Sequence, residues 1–207
     1  MIIMKKYEYG RINTLFQKLK EAQIDNKIII EIIKDGELIR KTTNPKKKAE
    51  WMKDAMTRMD KLLDSKIRYS IREACACCLG GKRFIKAKEI FKNNDNFNSR
   101  IDEANTTKFL FGHSVTLQND GKILVSFYPD NLEKYKCVCL PKAEEPISIT
   151  YCYCCGGHVK HHLQTVLGIK LELKVRSSAL SSDGKKPCTF LFKIIDEACQ
   201  RDSLLTI

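Results

Sequence analysis

The sequence predicts an α+β protein: an N-terminal helical segment, then an α+β domain with an antiparallel sheet of two hairpins packed against helices. Three observations predict it. Apolar residues recur at helical spacing through much of residues 10–92. Two alternating stretches each fold back about a polar turn, one at Asn119-Asp120-Gly121 and one over Ser181–Lys186. Helical and strand patterns are segregated along the chain instead of alternating, which argues against a parallel βαβ sheet. The expected division is a helical region, residues 1–93, and an α+β domain, residues 94–207, with one integrated domain as the alternative.

The elements follow in order. Ile12, Leu15, Phe16 and Leu19 mark a helix over residues 10–24. Asp25 or Asn26 suits the cap of a segment at 27–34, although the run Ile28–Ile30 is β-branched and leaves helix or strand open. Asp35-Gly36 breaks it. Asn44-Pro45 opens a stronger helix to about Asp64, with Trp51, Met52, Ala55, Met56, Met59, Leu62 and Leu63 as its buried stripe. A further helix is expected from Ser65 to Cys78, an interruption at Gly80-Gly81, and a helix over Lys82–Lys92 burying Phe84, Ile85, Ala87, Ile90 and Phe91. Residues 93–98 read as a polar linker and 99–106 as one or two helical turns. Strands are expected at Ser114–Gln118 and Lys122–Tyr128, then a helix over Tyr151–Leu167 stopped by Gly168, then strands at Ile169–Ser177 and Thr189–Ile195.

No run of about 18 apolar residues occurs, so no membrane span is expected, and the start of the chain does not read as a signal peptide. A cytoplasmic protein is the expectation. In a reducing compartment, the ten cysteines read as metal ligands or redox thiols before structural disulfides. The net charge is +12, and residues 1–93 carry most of it, with 23 Lys and Arg against 12 Asp and Glu. Nucleic-acid binding is not expected, because the basic residues are interleaved with acids and lack an aromatic-basic stacking pattern.

The chemistry lies in the cysteines. They form Cys75-Ala-Cys77-Cys78, Cys137-Val-Cys139 and Cys152-Tyr-Cys154-Cys155, while Cys188 and Cys199 stand apart and read as core residues. Helical spacing would place Cys75 with Cys78, Cys152 with Cys155, and Cys154 with His158. Soft thiolates favour zinc, copper(I) or iron–sulfur clusters. The expected metal ligands are Cys75, Cys77, Cys78, Cys137, Cys139, Cys152, Cys154 and His158, and the expected ion is zinc. Gly156-Gly157 would allow close backbone approach at the helix start, where amides and the helix dipole lower a thiol pKa. The alternative is therefore a small-molecule hydrolase or thiol enzyme with Cys154 as nucleophile and His158 as base. A third reading is a redox protein whose Cys-x-Cys pairs oxidise. His161 and His162 are expected to be exposed beside Lys160, and His113 carries no role.

Residues 151–195, with their Cys-bearing helix, Leu167-Gly168, a strand, the Ser178–Leu180 turn and Cys188-Thr189-Phe190, carry a resemblance. The segment resembles uncharacterised bacterial proteins related to vinyl-reductase-like small-molecule sensor domains, and it is similar to the aminothiazoline-carboxylate hydrolase family. The likeness spans roughly residues 70–195. In it Cys188 matches a cysteine opening the final strand, Cys152 and Cys154 match helix-start cysteines, and Cys137 and Cys139 fit the bacterial relatives. It implies an antiparallel sheet with a ligand pocket under a helix, and so a small-molecule-binding protein, in a sensor role. It carries over no mechanism.

Overall fold

The computed structural model describes residues 7–196. Cys199 lies outside them. Helix α1 (Gly10–Glu21) buries Ile12, Leu15, Phe16 and Leu19. Helix α2 (Asn26–Ile32) starts at Asp25, whose carboxylate accepts from the Lys27 amide at 2.8 Å. The Ile28–Ile30 run resolves as helix because Ile29, Ile32 and Ile33 reach the core from one face. That burial outweighs a β-branch penalty of a few tenths of a kcal/mol per residue.

Helix α3 (Pro45–Leu62) is capped by Asn44 and buries Ala49, Trp51, Met52, Ala55, Met56 and Met59. Helix α4 (Ser65–Ala74) is capped by Asp64, which accepts from the Ile67 amide at 3.0 Å. Asp64→Ala should cost about 1 kcal/mol and lower Tm by roughly 3 °C. An unchanged Tm in a thermal melt would show that this cap contributes nothing.

Helix α4 ends four residues before the expected Cys78. Its C-cap is Cys75, and residues 76–79 leave the helix, with Cys78 at φ 60°. The cause is tertiary. The carbonyls of Cys77, Cys78 and Leu79 each accept a hydrogen bond from a histidine ring distant in sequence, instead of from the amide one turn on. Cys75 and Cys78 therefore do not share a helical face.

Helices α5 (Gly81–Asn93), α6 (Phe97–Thr106) and α7 (Lys108–Phe111) follow. Ala87 and Ile90 of α5 are buried, but Ile85 is exposed, because it lies off the stripe that meets the core. The Asp-Gly hairpin forms as expected: β1 (Ser114–Leu117) pairs with β2 (Ile123–Ser126), and Gly121 takes φ 76° in the turn. After a long loop, a 3-10 turn (Ile149–Cys152) leads into α8 (Tyr153–Leu167), which Gly168 ends at φ 71°. Strands β3 (Lys170–Ser177) and β4 (Thr189–Asp196) form the second hairpin.

The sheet order is β1-β2-β4-β3, antiparallel throughout, with the two hairpins joined edge to edge through Ile123–Phe192 and Val125–Phe190. Leu171, Leu173 and Val175 of β3 point inward and alternate with exposed Lys170, Glu172 and Lys174. Helix α8 is the pivot: it packs on β3 and also against α4, α5 and α6. No helix among the described residues is long and apolar enough to cross a membrane.

Candidate thiol site

Each Cys-x-Cys unit is split by the fold. Its first cysteine turns inward and its second turns to a common site. Cys75 and Cys152 are buried, and Cys137 packs against the core. Cys77, Cys139 and Cys154 line two shared cavities. Each unit lies at an element boundary or in irregular chain: Cys75 caps α4, residues 137–139 are irregular with a bend at 138–139, and Cys152 ends the 3-10 turn before α8. Cys155, which follows Cys154 at the start of α8, completes the group.

These four thiols come from three segments and meet in pairs. Cys139 Sγ lies 2.9 Å from Cys155 Sγ. Cys77 lies close enough to Cys154 to lower its pKa, and Cys154 donates to the Cys75 carbonyl at 3.3 Å. Cys154 thus pairs with the Cys77 segment and not with His158. Cys78 is exposed at the cavity mouth beside Cys77.

Four devices hold the segments together. Arg11 of α1 donates to the Cys139 carbonyl at 2.9 Å and to the Tyr151 hydroxyl at 2.8 Å. Gly156 and Gly157 bring α8 close: a Cβ on Gly156 would meet Leu173, and one on Gly157 would meet the Glu73 carbonyl. Lys160 of α8 pairs with Glu73 of α4 at 2.6 Å. The fourth device is the histidine strap. His158 Nδ1, His162 Nε2 and His161 Nε2 bond the carbonyls of Cys77, Cys78 and Leu79 at 2.8, 3.1 and 3.1 Å. A carbonyl only accepts, so these ring nitrogens carry the protons, and His158 Nε2 is left as a lone pair.

His162 is fully buried, contrary to the expectation of an exposed residue, because α8 is covered on that side by the residues 76–81 connection and α5. Burial holds its pKa down to about 4, against the Cys78 carbonyl bond, and repulsion from Arg83 and from the neighbouring His158 and His161 rings adds to the shift.

The two thiol pairs are asymmetric. The neighbouring thiols of Cys155 and Cys77 lower the pKa of Cys139 and Cys154 respectively, against burial, with help from Arg11 and Arg72 on the first and Arg72 on the second. Cys155 and Cys77 themselves are pushed up. Each pair therefore holds one thiol that ionises more readily than its partner.

Arg72 sits beneath them, 3% exposed, stacked 5.0 Å from the Tyr151 ring and donating to the Tyr151 carbonyl at 3.3 Å. Its Nε meets no acceptor. Among the described residues neither Arg11 nor Arg72 ion-pairs with a carboxylate. Buried charge demands a counter-charge, and thiolates are the groups at hand. Burial works against Arg72's charge, but Cys75, Cys154, Tyr151 and Cys155 hold it protonated.

Cys137, Cys152 and Cys188 form an inner set. Cys152 contacts the Ser178 hydroxyl at 2.9 Å, and the Cys188 sulfur accepts from the Ala179 amide at 3.4 Å. Burial raises Cys152 to about 12 and Cys188 to about 11. These thiols stay protonated and serve as core. Cys152 does not share a site with Cys155, since the 3-10 turn at Cys152 aims its sulfur at Ser178 while Cys155 faces Cys139.

The cluster is a wall between two cavities. One, of about 410 Å³, is lined by Arg11, Arg83, Lys108 and Phe127 as well as the thiols and His158. The other, of about 350 Å³, reaches Tyr9, Arg72 and Cys75. Among the described residues no three Cys, His, Asp or Glu side chains stand at the spacing of a closed metal site; the thiols touch instead.

A family model matches residues 4–200, nearly the whole chain, and its description is a family of unknown function, DUF6144. The chain belongs to DUF6144. No curated protein and no solved structure matches it. The match makes no link to the vinyl-reductase-like or aminothiazoline-carboxylate hydrolase families, so what this DUF6144 member does rests on its own residues.

Sequence reading missed Cys155, Arg11 and Arg72 as members of the site. Arg72 carried one signal, a charge adjoining Ile71 on the side of α4 that leads into Cys75. Arg11 and Cys139 lie 128 residues apart and carried none.

Proposed function

We propose that this DUF6144 member binds a soft metal ion, zinc first, through the thiolates of Cys77, Cys139, Cys154 and Cys155, beside a small-ligand cavity. One observation carries the reading: these four thiols converge from three segments onto Arg11 and Arg72, which among the described residues have no carboxylate partners. A zinc ion with four thiolates bears a net charge of about −2. The two guanidiniums balance it. Sulfurs around tetrahedral zinc sit about 3.8 Å apart, given bonds of about 2.3 Å, so binding would part Cys139 and Cys155 by about 1 Å.

Elemental analysis of tag-free protein purified under reductant tests this. About one zinc per chain is expected, lost in Cys154→Ser and Cys139→Ser and kept in Cys188→Ser, whose thiol belongs to the inner set. A folded, metal-free wild type with every accessible thiol titratable would sink the proposal.

A second reading is favoured by the 2.9 Å contact and the unequal thiols of each pair. Cys139 and Cys155 would then exchange with a low-molecular-weight disulfide. The two thiols give up two protons and two electrons, one S–S bond forms in the protein, and the disulfide leaves as two thiols. The partners are joined across segments, not within a Cys-x-Cys unit. Two fewer free thiols without reductant, and no metal, would select this reading.

A further inference from the structure

The larger cavity has a charge pattern that the thiols do not use up. Its lining contains Arg11, Arg83 and Lys108 and no Asp or Glu. Among the described residues Arg83 donates to the Phe109 carbonyl, at 3.3 Å, and Lys108 to the His113 carbonyl. Among the described residues neither side chain forms an ion pair. If Arg11 is committed to the thiols, Arg83 and Lys108 still face the cavity uncompensated.

The same cavity carries apolar surface. Phe127, Phe109 and Val138 line it, and Phe109 and Val138 are 57% and 59% exposed at its rim. Large apolar side chains left uncovered beside a cationic opening mark a binding mouth more often than a random surface. A volume of about 410 Å³ is that of a small-molecule pocket.

We infer that this cavity binds a small organic anion, a carboxylate or phosphate monoester with an apolar body, its head held by Arg83 and Lys108 and its body against Phe109, Phe127 and Val138. The Arg83 guanidinium offers a planar fork of N–H donors suited to either head group. Lys108 supplies a point charge across the opening. The thiol wall closes the far side, so the bound molecule lies against Cys77, Cys139 and Cys154. The inference deepens the small-ligand part of the proposed function, but it rests on the cation wall and not on the metal.

Calorimetric titration with phenylacetate, phenyl phosphate, inorganic phosphate and neutral 2-phenylethanol tests it, on protein as purified and on reduced, chelator-stripped protein. At least one phenyl anion should bind both forms with a Kd below about 1 mM, more weakly as salt rises. Phenylacetate or phenyl phosphate binding alone assigns the head group. Arg83→Gln should weaken binding about tenfold or more, with an unchanged thermal melt because Arg83 is exposed. Phe109→Ser should weaken the phenyl anions. Equal binding of 2-phenylethanol, inorganic phosphate binding as tightly as phenyl phosphate, no effect of Arg83→Gln, or no binding by either phenyl anion would each overturn the inference. Absent zinc with intact anion binding would overturn the metal reading alone.

Discussion

Gly157→Ala is expected to destabilise the protein by about 3 kcal/mol and to open the thiol site in the same step. A Cβ at Gly157 would overlap the Glu73 carbonyl oxygen and lie 3.1 Å from the Ala76 Cβ. Neither neighbour is the free end of a flexible side chain, so α8 and α4 must move apart. The bonds that cross that seam are the Lys160–Glu73 ion pair, the Cys154 thiol to the Cys75 carbonyl, and the three histidine bonds to residues 77–79. The gain in helix propensity from Gly to Ala, about 1 kcal/mol, offsets only part of this. Tm should fall by about 10 °C, and zinc content or thiol pairing should fall with it. Gly156→Ala meets only the Leu173 side chain, 2.5 Å from its nearest methyl, and should cost less because that leucine can rotate. Gly10 has nothing within 4 Å, and Gly10→Ala should be close to neutral. If the three variants melted together, the close approach at Gly157 would not be what holds the seam.

Acid should weaken the fold through His162. Unfolded, its ring takes a proton near 6.5; folded, burial among His158, His161 and Arg83 holds its pKa to about 4. The unfolded chain therefore binds the extra proton first. The His162 contribution is complete above pH 6.5 and is lost as the pH falls toward 4. The gap corresponds to about 3 kcal/mol at 1.4 kcal/mol per unit. His158, lowered chiefly by burial, acts in the same direction. Urea melts between pH 7 and pH 4.5 should show the midpoint dropping steadily. His162→Gln keeps an N–H donor for the Cys78 carbonyl but cannot titrate, so its midpoint should change less. An equal slope in wild type and His162→Gln would remove His162 as the cause.

Much of the architecture was legible because it depends on neighbours in the chain. The α3 stripe from Ala49 to Met59, the Asp120-Gly121 turn, the Gly168 stop and the Thr189 strand are all set by spacing and local backbone preference. The Ile28–Ile30 run was ambiguous for the opposite reason: its own preferences are balanced, and burial of Ile29 and Ile32 decides. The end of α4 was misplaced because the sequence of residues 75–78 does not oppose a helix. Histidines some 80 residues later do, by capturing its carbonyls.

The same division runs through the site. The sequence by itself determined that thiols are clustered and that a histidine stands one turn after Cys154. Only the tertiary structure decided which cysteine of each unit faces the core, that Cys139 meets Cys155, and that Arg11 and Arg72 supply the charge beneath them. The physical reason is range. Side-chain direction is set within a few residues by backbone geometry. The partner of a thiolate or a buried guanidinium is set by which distant segments pack together, and that depends on burying the shared faces of α1, α4 and α8.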